Sequence, residues 1–302
     1  MAMISIRLSP ARCIQAVFIL SSCIVLAMAV LPTAERKLLL SYGPRRSQDE
    51  IEEITKSSNE TATALGQVPH SWFFTYYAFY SLCAAFWTTQ YFQERNRSNL
   101  LRAMAQTQLE MAPASSTTTG TQLALVWVMM MLQAVRRLYE CFVVMKPSKS
   151  TMWFLHWVMG LGFYFGISMA IWVESSASPS AADFTTETTM KAAVALPLFA
   201  YGWFMQYHCH RNLAKLKKYS LPDQGLFCYL VCPHYACECL IYSSLAIAAA
   251  PTGRWCNQTL LSGAIFVVVN LGVTALGTRT WYAERFGMEK VASKWIMIPF
   301  LY

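Results

Sequence analysis

Long apolar blocks dominate this sequence and restrict what it can fold into. Residues 13–31 (CIQAVFILSSCIVLAMAVL) carry no charged side chain over a length that crosses a bilayer. Six further apolar blocks follow, at 69–92, 121–145, 152–173, 192–207, 226–250 and 259–282. Only 13% of the residues are charged, which is roughly half the fraction typical of soluble domains. The sequence therefore predicts an all-α, polytopic membrane protein with about seven transmembrane helices.

The first apolar block allows two interpretations. A short basic region precedes it, as in a cleaved signal peptide, but the block is longer than a usual signal core and no small-residue cleavage site stands out. We therefore predict a retained first helix. The charged and mixed residues 41–68 follow it, so residues 1–68 are predicted to form this helix and a polar cytoplasmic loop. Residues 69–302 are predicted to form one membrane-embedded domain.

The basic residues predict how the chain is oriented in the membrane. The net charge is +8, but the basic residues are spread over the loops without interleaved aromatic residues, so we predict no nucleic-acid partner. Most of them fall in 32–68, 146–151, 208–225 and 283–302. The positive-inside rule then places the N-terminus in the lumen and the C-terminus in the cytoplasm. The low-complexity residues 106–121 are predicted to be a flexible connection.

Residues 225–242 (GLFCYLVCPHYACECLIY) place four cysteines, a histidine and a glutamate in an apolar run. A structural zinc ion needs four ligands that converge as a tetrahedron. On a continuous helix Cys237 and Cys239 cannot join the other two cysteines, so we predict no metal and interpret the thiols as packing groups. Polar side chains at i, i+4 and i+8 instead share one helix face. These side chains are His234, Glu238 and Tyr242, and we predict that they line a pocket.

Charged residues within the third block need an explanation, because charges in a membrane span are costly. The motif QAVRRLYE places Arg136 and Glu140 four residues apart on one helix face, with Gln133 and Arg137 beside them. One interpretation is an internal ion pair near the cytoplasmic interface. The other is a buried acid whose ionisation depends on burial and on its arginine neighbours.

Further polar residues close the fifth block and interrupt the seventh. They are Gln206, His210 and Lys217, followed by Asn270, Arg279 and Tyr282. A lone Asn in a membrane helix is typically an interhelical hydrogen bond, but the whole set predicts a pocket, mainly in the cytoplasmic half. A nucleotide with phosphates fits the basic side chains, and a lipid fits the apolar walls. The glycines of GLGFYFG (160–166) follow no strand, so they predict close helix packing and not a dinucleotide loop.

Several motifs resemble a known enzyme family. QYHCHRNLAKLKK, LPDQGLFCYLVCPHYACECLIY and SKWIMIPFLY resemble the C-terminal domain of the steroid 5α-reductase family. LQAVRRLYECFVV and VPHSWFFTYYAFYSL resemble the third and second helices of its polyprenol (polyprenal) reductase branch. The resemblance covers 68–92 and 123–302. It implies a multi-pass, seven-helix enzyme of the endoplasmic reticulum membrane. Such an enzyme uses NADPH to reduce the α-isoprene double bond of polyprenyl lipids, in dolichol synthesis for protein N-glycosylation.

The resemblance also implies roles for individual residues. By motif position, NADPH binds within 192–302 to Gln206, His210, Lys217, Tyr229, His234, Glu238, Asn270 and Arg279. The implied catalytic residues are Glu140 and Tyr282. Two positions depart from the family pattern, because His234 stands where relatives commonly carry Asn, and Arg279 stands where this branch commonly carries His.

The chemistry favours an aldehyde over an alcohol as the immediate substrate. Hydride adds to a double bond when the developing negative charge can move to a carbonyl oxygen, and an allylic alcohol offers no such oxygen. The site then needs a donor at that oxygen, a role predicted for Glu140 with Tyr282 as a second candidate. The alternatives are a 3-oxo-5α-steroid or trans-2-enoyl-CoA reductase of the same family and, outside enzymes, a seven-helix transporter or receptor.

Overall fold

The computed structural model describes residues 8–31, 66–93, 99–112, 117–146, 150–175, 185–217 and 220–302. Within these residues the chain forms eight α-helices: α1 (Pro10–Ala29), α2 (Phe74–Phe92), α3 (Leu100–Met111), α4 (Gly120–Tyr139), α5 (Phe154–Val173), α6 (Thr186–Lys215), α7 (Pro233–Ala248) and α8 (Gln258–Phe286). Two short strands pair antiparallel, β1 (Gln67–Pro69) and β2 (Thr151–Trp153). The prediction of a mainly helical chain is confirmed.

The helices differ in their capacity to span a membrane. Among the described residues, α1, α5 and α8 are long and apolar enough to cross one. α2, α4, α6 and α7 lie in the remaining apolar blocks, but their length and composition alone do not mark them as spans. The number of seven transmembrane helices therefore stays a prediction. The polar loop predicted for residues 41–68 lies outside the described residues, except for 66–68.

The connection predicted to be flexible at 106–121 is wrong in its first part, because residues 106–111 belong to α3. This helix begins where the Asn99 side chain accepts a hydrogen bond from the Arg102 backbone N–H (2.9 Å). It buries Leu101 and Gln108. Gln108 Oε1 accepts from the backbone N–H of Ala11 (3.0 Å), which ties α3 to the start of α1.

The sixth apolar block also begins differently from its predicted boundary. α7 starts at Pro233 and not at residue 226, and a single 3₁₀ turn forms at Gly225–Cys228. A proline fits the first helical position because its φ angle is fixed near the helical value and its missing N–H would have no partner there. Gly202 then lets α6 approach α7 closely, since a Cβ added to it would lie 2.9 Å from the Cys237 carbonyl oxygen.

Buried donors hold the C-terminal end of α7. Gln122 Nε2 donates to the carbonyls of Ala248 (3.0 Å) and Ala250 (2.7 Å). Lys191 Nζ donates to the carbonyls of Ala250 (3.0 Å) and Pro251 (2.8 Å). The last carbonyls of a helix have no partner within the helix. Gln122 therefore satisfies the carbonyl of Ala248, the last residue of α7, while Lys191 binds the turn that follows. Together they fix the end of α7 opposite to Pro233.

Replacing the buried ammonium is expected to weaken this end of the fold. Lys191→Met keeps the apolar stem but removes the charged donor. Gln122 still donates to Ala250 and the Arg254 backbone N–H to Pro251 (3.0 Å), so the loss is that of hydrogen bonds from a charged group, about 1.5–3 kcal/mol. Thermal unfolding in detergent measures the change as a lower midpoint. Lys146→Met is the control, because Lys146 is exposed and donates to the Leu216 carbonyl at 3.1 Å. Equal midpoints for the two variants would contradict this role of Lys191.

Candidate functional site

A cavity of about 410 Å³ lies between α2, α4, α5, α6, α7 and α8. Many of its lining side chains are aromatic, including Phe73, Tyr76, Tyr77, Phe163, Tyr164 and Phe266. A second group is polar and includes Arg137, Gln206, His210, His234, Glu238 and Asn270. Apolar walls with a few polar groups, at this volume, are typical of a small-molecule site.

The start of α7 is held by the last residues of the chain. The backbone N–H groups of Val231 and Cys232 donate to the carbonyls of Trp295 (2.9 Å) and Ile296 (3.0 Å). The Trp295 N–H donates back to the Tyr229 carbonyl (2.9 Å). We call this pairing the C-terminal strap. Because it lies directly before α7, it fixes the first turn of the helix that carries much of the polar lining.

One face of α7 turns toward the cavity. His234, Glu238 and Tyr242 all line it, as their spacing predicted. The imidazole ring of His234 lies 5.6 Å from that of His210 on α6, measured between ring centroids. The close packing of α6 on α7 thus brings the polar residues of two sequence blocks into one group.

The charged residues of α4 form an ion-pair cluster next to this group. Glu140 is fully buried, and both Arg136 and Arg137 donate to its carboxylate. His210 Nδ1 lies 2.7 Å from Glu140 Oε2 and 2.7 Å from Arg137 Nη1. A single π-helical turn begins at Glu140, a feature frequent at functional sites. Glu140 is thus buried and ion-paired, while its place relative to the membrane and any role of its ionisation stay predictions.

A second network links this cluster to Glu238. Gln133 Oε1 accepts from Arg136 Nη2 (2.7 Å). The Gln133 amide nitrogen donates to Gln206 Oε1 (3.0 Å) and to Glu238 Oε2 (3.3 Å). Gln206 Oε1 also accepts from Arg136, and its Nε2 donates to Glu238 and to the His234 carbonyl (3.2 Å). Since both amides use donor and acceptor atoms, the network fixes the orientation of the Glu238 carboxylate.

Tyr77 connects the ion-pair cluster to the cavity. Its hydroxyl accepts a hydrogen bond from Arg137 Nε (2.9 Å), and its ring lines the cavity. A phenol oxygen that accepts a hydrogen bond still carries its own hydrogen for donation. Sequence reasoning missed Tyr77 because the block TYYAFY holds three tyrosines. Periodicity alone does not show which of their hydroxyls meets a guanidinium.

The structure brings together five of the predicted cofactor residues, since the cavity is lined by Gln206, His210, His234, Glu238 and Asn270. The other predicted site residues do not line it: Glu140, Lys217, Tyr229, Arg279 and Tyr282. Lys217 and Tyr229 are exposed. Arg279 lies nine residues beyond Asn270 on α8, or about 13.5 Å further along the axis. Glu140 contacts two residues that do line the cavity, Arg137 and His210. The roles of all these residues stay predictions.

The cysteines of residues 225–242 do not gather around one point. All ten cysteines of the chain are free, and three of the four in this stretch are buried, namely Cys232, Cys237 and Cys239. Within the described parts of the chain, no three His, Cys, Asp or Glu side chains are grouped so that they could hold a metal ion.

Comparisons with known proteins identify relatives of this chain. A family described as 3-oxo-5-alpha-steroid 4-dehydrogenase matches residues 149–302. The polyprenal reductase of Xenopus tropicalis is 28% identical over 193 residues, which cover 60% of this chain and 60% of that protein. The polyprenal reductase of Saccharomyces cerevisiae is 31% identical over 178 residues, 59% of this chain and 64% of that protein. The Drosophila melanogaster polyprenal reductase is 30% identical over 189 residues, which cover 57% of this chain and 56% of that protein. The chain thus spans less than two thirds of the length of these relatives.

Proposed function

This chain belongs to the 3-oxo-5-alpha-steroid 4-dehydrogenase family, the steroid 5α-reductase family, and we propose that it reduces the α-isoprene double bond of a polyprenyl aldehyde with NADPH. The relatives named polyprenal reductase support this substrate class. The observation that carries the proposal is the hydrogen bond from Arg137 to the hydroxyl of Tyr77, beside a cavity with many aromatic lining residues.

The reaction needs a hydrogen-bond donor at the carbonyl oxygen of the substrate. When bound, NADPH supplies a hydride to the β-carbon of the unsaturated aldehyde. Negative charge then develops on the carbonyl oxygen, and a preorganised donor stabilises it. We assign this donor to Tyr77, because its ring lines the cavity and its hydroxyl hydrogen can be donated. Tyr282 is the weaker candidate because it does not line the cavity.

Arg137 and Glu140 support this donor. Arg137 Nε donates to the Tyr77 oxygen, so the guanidinium stabilises the negative charge that grows there as the hydroxyl hydrogen moves to the carbonyl oxygen. The enol so formed becomes the saturated aldehyde by gaining a proton at the α-carbon and returning its hydroxyl proton to Tyr77. Glu140 accepts from Arg136 and Arg137, which suits an ionised carboxylate that has no hydrogen to donate. We therefore change the role proposed for Glu140 from proton donor to positioning residue, which holds Arg137 in place.

The polar lining fits the nicotinamide end of NADPH. The amide, imidazole and carboxylate groups of Gln206, His234, Glu238 and Asn270 can pair with a carboxamide and a ribose. Among the described lining residues, Arg137 is the permanently cationic side chain, and it is engaged with Glu140. The phosphates therefore need cations from outside the cavity. We assign the cations Lys217 and Arg279 to the phosphates, with Tyr229 as a further residue for that part of the nucleotide.

We propose the endoplasmic reticulum membrane as the location, with a role in dolichol synthesis for protein N-glycosylation. The ion-pair cluster at the end of α4 and the first turn of α7 lie at the ends of blocks that the positive-inside rule assigns to the cytoplasm. A cytosolic cofactor would then reach the polar lining directly, while the lipid enters from the membrane.

Mass spectrometry of lipid products tests the proposal. Microsomes that contain this chain receive NADPH and either long-chain polyprenal or polyprenol. A gain of two hydrogens on the aldehyde alone is expected, whereas reduction of the alcohol without an aldehyde intermediate would contradict the argument from conjugation. Parallel incubations with a steroid enone and an enoyl thioester test the other family activities. NADPH binding to the purified protein separates all of these from a transporter or receptor.

A further inference from the structure

Gly160 of α5 and Tyr76 of α2 meet beside the cavity, and both line it. A Cβ added to Gly160 would lie 2.5 Å from Cε1 and Cζ of Tyr76 and 2.9 Å from its hydroxyl oxygen. Non-bonded carbon atoms prefer about 3.5–4.0 Å. The Tyr76 ring therefore packs directly against the backbone of α5. Any larger residue at position 160 would clash with the ring in this position.

Tyr76 has little room to retreat from an added methyl group. Its hydroxyl donates to the His156 carbonyl (3.5 Å) and contacts Met152 Sδ (3.7 Å). Its ring packs edge-on against Phe73, with ring centroids 5.0 Å apart, and stacks on Tyr164 at 6.0 Å. The Tyr76 ring also borders the cavity. A side chain at position 160 would therefore push the ring inward and narrow the cavity.

We infer that Gly160 is a specificity-determining residue, which keeps the cavity wide enough for a methyl-branched double bond. This inference rests on the proposed function and refines its substrate class. In a polyprenyl aldehyde the β-carbon carries a methyl group beside the chain, whereas an unbranched enal carries hydrogen there. The methyl group widens the reacting unit. When the Tyr76 ring moves inward, binding of a branched substrate is therefore weakened more than binding of an unbranched one.

Two other glycines of α5 provide matched controls. Nothing lies within 4 Å of a Cβ added to Gly162. A Cβ added to Gly166 would lie 3.0 Å from Phe18 Cζ, and Gly166 does not line the cavity. Gly162→Ala therefore reports the effect of alanine on the helix, and Gly166→Ala reports helix packing. Gly160→Ala includes both of these effects and, in addition, the effect of a narrower cavity.

The experiment compares geranial, whose β-carbon carries a methyl group, with trans-2-decenal, an unbranched enal of equal carbon number. The purified chain receives NADPH and one of the two enals. Gly160→Ala is expected to lower kcat/KM for geranial at least about tenfold more than for trans-2-decenal, the size of discrimination that one methyl group allows. Gly162→Ala and Gly166→Ala are expected to leave the ratio unchanged. An equal loss on both enals in Gly160→Ala would overturn the inference.

Tyr76→Leu tests the same contact from the other side, and it serves where Gly160→Ala does not accumulate. Its shorter side chain is expected to shift the ratio toward geranial, and to restore that ratio in a Gly160→Ala background. If neither substitution changes the ratio of kcat/KM for geranial to kcat/KM for trans-2-decenal, the inference is refuted. Wild-type chain that reduces trans-2-decenal but not geranial would also refute it. Wild-type chain that reduces neither enal nor polyprenal would instead remove the proposed function.

Discussion

Tyr77→Phe is expected to lower kcat for polyprenal by about 10²–10⁴-fold, the usual contribution of a positioned proton donor. The phenyl ring still fills the same space beside the cavity, but the carbonyl oxygen of the substrate loses its donor. The Kd of NADPH is expected to stay within about twofold, because the polar residues assigned to the cofactor lie on other helices. Steady-state kinetics and a cofactor-binding titration on the same preparation measure both quantities.

Tyr80→Phe is the matched control for this experiment. Tyr80 lies one turn further along α2 and is 1% exposed, but it does not line the cavity. Its variant loses the same atom from the same helix, so its kcat is expected to remain close to that of the wild type. A Tyr77→Phe enzyme with full activity would remove Tyr77 from the mechanism and return the donor role to Tyr282.

Glu140→Gln is expected to damage both stability and catalysis. Arg136 and Arg137 are 6% and 8% exposed. Removing the negative charge of Glu140 leaves these two buried guanidinium groups without their carboxylate partner. Breaking a buried ion pair on one side costs about 3–5 kcal/mol. The loosened Arg137 no longer holds the Tyr77 hydroxyl, so kcat is expected to fall by about two orders of magnitude. Detergent thermal stability and kcat on the surviving folded fraction measure the two effects separately.

Glu140→Asp keeps the charge and so separates positioning from folding. The shorter carboxylate is expected to preserve most of the stability, while kcat falls about tenfold because Arg137 is drawn away from Tyr77. The double variant Glu140→Asp/Tyr77→Phe is expected to be no slower than Tyr77→Phe alone, since both act through one hydroxyl. Additive losses would show that Glu140 acts on the reaction by a separate route.

The apolar blocks predicted the positions of seven helices because an unbroken apolar run has few other ways to satisfy its backbone in a membrane. α3 was missed because half of it, from Gln106 onward, resembles a polar connection, and its stability comes from packing against α1 and from the Asn99 cap. The start of α7 carried a readable signal in Pro233, which the longer apolar run concealed.

The site was only partly predictable. The spacing of His234, Glu238 and Tyr242 predicts a common face without any knowledge of the fold. The bond between Tyr77 and Arg137 depends instead on how α2 and α4 are rotated toward each other, and no local pattern encodes that rotation. The same holds for α8, where sequence separation alone does not show where along the helix the cavity ends.

The C-terminal strap makes the site a late product of translation. Val231 is 64 residues from Trp295, its partner in the strap, and a ribosome needs roughly 3–13 s to add that length. Until then the polar face of α7 lacks its anchor. A premature stop codon just before residue 295 is therefore expected to abolish activity, although none of the lost residues lines the cavity. Quality control would then meet a chain that carries all eight described helices but whose reaction centre was never completed.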